Sequence, residues 1–177
     1  MKTVGLIAAV FAVAVAAVLI YAALRPNILS VERSATIKAP AEKIFAFIND
    51  FDRWAAWSPY EKKDPAMKRA RSGAPQGKGS VYAWDGNNQV GKGRMEIADT
   101  APPSKVTINL DFEKPFAGHN VVVFTLEPKG EATAVTWAMR GKAAYIAKVM
   151  GIFVDMDRMI GRDFEAGLAN LKLIAER

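Results

Sequence analysis

The chain has no cysteine and a single histidine in 177 residues. Disulfides and thiolate metal sites are therefore excluded, and a zinc site has no ligand set to draw on. His119 lies in a stretch that reads as a turn, and no Ser or Cys is spaced to pair with it. Asp155 and Asp157 do not make a calcium loop, and no pair of carboxylates stands out for acid–base work. Gly77-Lys78-Gly79 and Gly91-Lys92-Gly93 have neither P-loop nor dinucleotide spacing, and neither opens a helix after a strand. They read as turns and bends of a curved sheet. No internal period and no low-complexity tract is present. No metal and no cofactor is expected. Charge of one sign is also scarce: 24 Lys and Arg stand against 18 Asp and Glu, a net +6. That excess permits weak attraction to anionic lipid, but nucleic acid would want a clustered basic face, so no nucleic-acid partner is expected.

What is present first is a long uncharged run, Val4 to Leu24, bracketed by Lys2 and Arg25. As a helix it spans roughly 30 Å, the thickness of a bilayer's hydrocarbon core. Residues 1–25 thus read as a transmembrane anchor. A cleaved signal is the rival reading. Its apolar region would be shorter, about 7–15 residues. A cut after Ala23 would also put Tyr21 where a small residue is wanted. Orientation stays open. The Lys and Arg count favours a cytoplasmic domain, whereas a short basic start commonly stays inside.

Residues 26–30 read as a linker and 31–177 as one domain. Val31, Arg33, Ala35 and Ile37 alternate with polar residues as a strand does. Ala39-Pro40 ends it, and Ala41 to Ile48 reads as a short helix. Phe51 to Ala56 is a second helical turn, closed by Ser58-Pro59. Glu61 to Arg71 is charged and reads as solvated strand and loop, with a lipid-headgroup contact as the sharper alternative. From Ser80 to Met139 strands alternate with Gly, Asn and Pro turns. That pattern means an antiparallel meander of six or seven strands in an α+β fold, not strand–helix–strand units. Lys142 to Val154 is more apolar than a connector needs. It reads as packed on the core, as a lid, or as a surface touching a membrane.

Asp155 to Arg177 reads as a long amphipathic helix with Asp155 as N-cap, of the kind a curved sheet would wrap. Its apolar half holds Met156, Ile160, Phe164, Gly167, Leu168 and Leu171, interrupted by Asp163 and Asn170. Gly167 is expected where the helix crosses the sheet closely. Asp163 is expected either to pair with an arginine such as Arg94 or Arg162, or to reach a cavity. An apolar pocket with a few polar groups is the common form of a small-molecule site. Its candidate lining is Trp54 and Trp57 at the second helical turn, with Tyr82, Trp84, Met95, Phe124 and Trp137 from the strands. From the closing helix come Met156, Ile160, Asp163 and Phe164. Arg94 and Asn170 are further polar candidates. No catalytic residue is assigned.

The opening Ala39-Pro40-Ala41-Glu42-Lys43-Ile44-Phe45, then Ile48-Asn49-Asp50-Phe51 to Trp54 and Trp57-Ser58-Pro59, resembles that of the SRPBCC superfamily. Its members include START domains and polyketide cyclase/dehydrase-like proteins. Gly161 to Leu168 with Asn170-Leu171-Lys172 looks like the closing helix of the bacterial cyclase/dehydrase-like group. The resemblance implies a helix-grip fold: about seven antiparallel strands bent round the C-terminal helix. It implies a cavity between them that takes a hydrophobic small molecule or lipid. It also implies two alternatives. One is a cyclase or dehydratase, although no set of cavity acids and tyrosines matches that activity. The other is a membrane-associated interaction module with a filled interior. Oligomeric state is not legible.

Overall fold

The alternation read from Val31 onward becomes a seven-stranded antiparallel sheet in the computed structural model, which describes residues 2–177. The strands are β1 (Ile28–Ile37), β2 (Lys68–Gly73), β3 (Ser80–Asp85), β4 (Lys92–Ala101), β5 (Lys105–Lys114), β6 (Gly118–Lys129) and β7 (Ala132–Lys142). The helices are α1 (Lys2–Leu24), α2 (Ala41–Ile48), a 3₁₀ turn (Phe51–Ala56), α3 (Pro59–Lys63), α4 (Tyr145–Phe153) and α5 (Met156–Ala175). β1 starts at Ile28, inside the stretch that reads as a linker, because Ile28 to Ser30 pair with Arg140 to Lys142. Ser58-Pro59 opens a helix rather than ending a region. Proline suits the first helical position, where its missing N–H costs nothing.

Strands β2 to β7 run as a meander, and β1 closes the far side by pairing with β7, giving the order β1-β7-β6-β5-β4-β3-β2. Register carries the side-chain alternation across the strands. Val31, Met139 and Val122 fall on one face in one row, and Arg33, Trp137 and Phe124 in the next. A register shift between Ile97 and Asp99 bends β4 against β5, as an extra residue in one strand does.

α5 lies across the concave face. Asp155 caps it, its side chain accepting from the Arg158 N–H at 2.9 Å. Phe164, Leu168 and Leu171 are buried on its inner side. Two glycines let it settle. A Cβ on Gly167 would lie 2.6 Å from Trp137 Cζ3 and 3.1 Å from Pro59 Cδ. A Cβ on Gly161 would overlap the Arg33 guanidinium. Arg33 uses that gap to reach Asp157 Oδ2 and Glu165 Oε1, each at 2.8 Å, one helical turn to either side of Gly161. α2 and the 3₁₀ turn cover the remaining concave face with Ile44, Ile48, Phe51 and Trp54. This is a helix-grip fold with an apolar N-terminal helix added.

Gly167→Ala is expected to lower stability by about 1–3 kcal/mol through overpacking against Trp137. That loss sets in despite the roughly 1 kcal/mol that alanine gains over glycine inside a helix. Chemical denaturation measures it. A variant more stable than the parent would contradict the close crossing.

Candidate functional site

The candidate residues of sheet and helix gather into one aromatic body. Trp137 on β7 stacks on Phe164 of α5, with ring centroids 4.1 Å apart and planes within 8°. Phe124 on β6 lies against Trp137 at 4.9 Å, and Trp57 meets both edge-on. Trp54 packs on Trp57 at 4.9 Å and on Phe51 at 5.2 Å. Phe51 then joins Tyr82, which stacks on Trp84. Edge-to-face and offset geometries of this kind add about 0.5–1.5 kcal/mol per pair beyond burial. Trp57 and Phe124 are 0% exposed and Trp137 is 3%. Water-sized space therefore does not adjoin Trp57 or Phe124 and touches Trp137 only slightly.

The polar atoms inside this body are nearly all used. Trp54 Nε1 donates to the Ile48 carbonyl, Trp57 Nε1 to that of Phe47 and Trp84 Nε1 to that of Val90. Asn170 Nδ2 donates to the Trp57 carbonyl at 3.0 Å, which ties the polar interruption of α5 to the start of α3. Trp137 Nε1 is different: it is buried and has no acceptor. An orphaned donor costs about 1–3 kcal/mol, more than a made bond contributes.

Some members of the body are less enclosed. Met95, Phe112, Tyr60 and Ile160 are only partly buried against the core. Asp163 lies near Tyr60 and pairs with Lys63 Nζ at 2.6 Å. The expected arginine partners are elsewhere. Arg94 points from the outer face of β4 to Glu96, and Arg162 is exposed. Lys63 also stands 5.3 Å over the Tyr60 ring. Burial pushes the Tyr60 phenol well above its ordinary pKa, and the Asp163 charge adds to the shift.

A second cluster, on the β2–β3 side, gathers residues that read as solvated. Tyr82 Oη donates to Glu61 Oε1 at 2.5 Å, and Arg69 Nε donates to Glu61 Oε2 at 2.8 Å. Arg71 lies 3.7 Å over the Tyr82 ring. Burial raises the Tyr82 pKa most, the Glu61 bond and charge raise it further, and Arg71 and Arg69 partly offset them. Both oxygens of Glu61 are thus occupied by the protein's own donors, which fastens α3 to β2 and β3. Lys62, Lys68 and the rest of β2 are exposed, as expected. The missed signal was the Pro59 helix start. It sets Tyr60, Glu61 and Lys63 on a short helix facing the sheet and α5.

Two clefts lie outside the aromatic body. One, of about 560 Å³, is lined by Arg25, Ile28, Lys148, Phe153 and Met156 among others, at the foot of α1. The other, of about 570 Å³, lies between His119, Arg140 and Tyr145. Met156 is therefore placed in the cleft at the foot of α1. His119 is exposed, with Nδ1 2.6 Å from Asp111 Oδ1. Among the described residues no cluster of His, Asp or Glu is arranged to hold a metal.

The Lys63–Asp163 pair bridges α3 and α5. Lys63→Met and Asp163→Asn are each expected to lower stability. Their double mutant is expected to lose less than the sum, with a coupling of about 0.5–1 kcal/mol. Strictly additive losses would show that the two side chains do not act on each other.

The comparisons with known proteins bear on the fold. The protein CV1439 from Chromobacterium violaceum is 14% identical; the match covers 86% of this chain and 99% of that one, with a TM-score of 0.60. The Aha1 dimer from Colwellia psychrerythraea is 17% identical, over 84% and 96% of the two chains, with a TM-score of 0.59. The di-domain ARO/CYC BexL from the BE-7585A biosynthetic pathway is 17% identical, over 89% of this chain and 53% of its own, with a TM-score of 0.63. At such identities the likeness is one of fold. No curated protein matches significantly. The sequence model of the family described as polyketide cyclase / dehydrase and lipid transport matches residues 29–176. A seven-stranded sheet gripping α5, together with that match over most of the chain, makes this protein a member of the polyketide cyclase/dehydrase and lipid transport family, within the SRPBCC superfamily.

Proposed function

We propose that this protein binds a hydrophobic small molecule or lipid between the sheet and α5 while α1 holds it to a membrane. The observation that carries the reading is Trp137 Nε1, the buried donor without an acceptor at the centre of an aromatic body. A ligand with an apolar frame and one carbonyl or hydroxyl oxygen suits that environment. Aromatic faces bury the frame, and the indole N–H meets the oxygen. Trp54, Trp57, Tyr82, Trp84, Met95, Phe124, Ile160 and Phe164 are the proposed surroundings. The rings are closed on one another in the structure, so binding requires them to part. Over the first half of α5, Asp163 and Lys63 form a partly exposed bridge to α3 whose parting would open one side of the body. The cleft at the foot of α1 reaches Met156 on that half of the helix. A ligand arriving from the bilayer would meet it first.

The tether rests on α1. Thr3–Leu24 holds an 18-residue window of mean hydropathy 2.8, which is 0% buried. A signal sequence has the same character. The enzyme reading would draw on Glu61 and Tyr82, but both Glu61 oxygens already hold α3 in place. The binding reading is therefore the one that the geometry supports best.

Native mass spectrometry of the full chain, purified from membranes in mild detergent, tests this directly. A bound hydrophobic species is expected as a discrete mass increment. Its occupancy should fall in Trp137→Phe, which keeps the ring and removes the donor. An increment absent from the parent, or unchanged in Trp137→Phe, would overturn the proposed site.

A further inference from the structure

Among the described residues beyond α1, nine large apolar side chains are exposed. Eight of them belong to the first residue of β1, the β5–β6 turn, α4, the residue after it and the first turn of α5; only Leu173 lies elsewhere. The antiparallel register puts the start of β1, the end of β7 and the β5–β6 turn at one end of the sheet. Ile28 pairs with Lys142, Gly141 with Asn120, and Phe112 with Gly118. α1 enters the domain at that same end.

α4 is fastened to α1. Tyr145 Oη donates to the Leu19 carbonyl at 2.8 Å. Lys148 Nζ donates to the Ala23 carbonyl and to Asn27 Oδ1. Arg25 donates from its guanidinium to the Gly151 carbonyl. Leu19 is five residues before the end of α1, about 7.5 Å along its axis. Lys148 is the only charged residue of α4 and is itself buried, turned to α1. The outer side of α4 is therefore uncharged: Ile146, Met150 and Phe153 are exposed there, Phe153 to 74%. Phe116, at the tip of the β5–β6 turn, is 47% exposed. Exposed Lys114, Arg140 and Lys142 stand around these apolar tips. Of the nearby acids, Glu113 is engaged by Lys92, Asp111 by His119 and Asp157 by Arg33, and Asp155 caps α5.

We infer that α4 and the β5–β6 turn form a membrane-docking face that lays this end of the domain on the anionic phospholipid bilayer holding α1. The inference rests on the tether reading and goes further, because a tether alone leaves the domain free to tumble in water. An uncharged helix face beside the last turns of a spanning helix lies at the headgroup–acyl boundary. There its apolar side is buried, and a tyrosine finds its usual depth. Basic side chains around the tips meet lipid phosphates, which attract them to an anionic surface. Docked this way, the 560 Å³ cleft opens onto the bilayer surface rather than into water.

The absence of cysteine makes the test clean, since single cysteines can be introduced and labelled with a polarity-sensitive fluorophore. The full chain is reconstituted into phosphatidylcholine–phosphatidylglycerol vesicles carrying nitroxide lipids at shallow or deep positions. The labelled variants are Val13→Cys in α1, Phe116→Cys, Ile146→Cys, Phe153→Cys, and Glu131→Cys at the opposite end of the sheet. Labels at 116, 146 and 153 are expected to lose fluorescence most to shallow nitroxides, the label at 13 to deep ones, and the label at 131 to neither. Quenching at 13 with none at 116, 146 and 153 overturns the docking face and leaves the tether standing. No quenching at 13 removes the tether, and the docking face with it.

Discussion

The stacking of Trp137 on Phe164 is the constraint on which the rest of the domain depends. Planes 8° apart and centroids 4.1 Å apart are attainable only if α5 comes very near β7. That approach is possible because position 167 carries no Cβ to meet the indole edge. Once the helix sits at that depth, Phe164, Leu168 and Leu171 are buried, and Asn170 reaches the Trp57 carbonyl. Arg33 then bridges Asp157 and Glu165 across the second glycine, at the sheet edge where apolar packing runs out. The hydrophobic term is large but has no direction, and the two glycines and the stacked pair give it one.

The same constraint leaves the binding question in a definite form. A core of interlocked aromatic rings is at once a good stabiliser and a surface suited to a flat or elongated apolar guest. Three of the four tryptophans satisfy their N–H on backbone carbonyls. The fourth does not, and its ring is stacked on Phe164 of α5. An unmade hydrogen bond costs more than the net gain from making one, so an acceptor brought there by a guest has a driving force beyond burial. The domain's polar pairs around α3 stand at the rim of this body.

Much of the fold was legible because its signals are periodic or local. Alternation in Val31 to Ile37 and Ala132 to Met139 marks strands buried on one face, and the 3.6-residue stripe of α5 marks a helix laid on them. Gly167 among Phe164, Leu168 and Leu171 pointed to close packing, and the Trp137 edge is what it meets. The parts that were not legible depend on tertiary position. Asp163 within an apolar stripe required a partner, but Lys63 lies 100 residues away and nothing local distinguishes it from Arg94 or Arg162. Glu61 and Arg69 sit in a charged run whose composition is that of a solvated surface, and only the fold of α3 turns Glu61 inward. The excess apolarity of Lys142 to Val154 was visible. That Lys148 within it faces α1 follows from where β7 ends beside the start of β1.

The central claim is that the Trp137 N–H is the polar anchor for a guest held against α5. Proton–nitrogen correlation spectra of the full chain, labelled in its four indoles, test it directly. They are recorded as isolated from membranes and again after organic extraction of bound lipid. The account predicts that extraction shifts one indole signal to the position of an unbonded N–H, and that this signal is the one missing in Trp137→Phe. The signals of Trp54, Trp57 and Trp84 should keep their bonded positions. A Trp137 signal that is unmoved by extraction would contradict the claim.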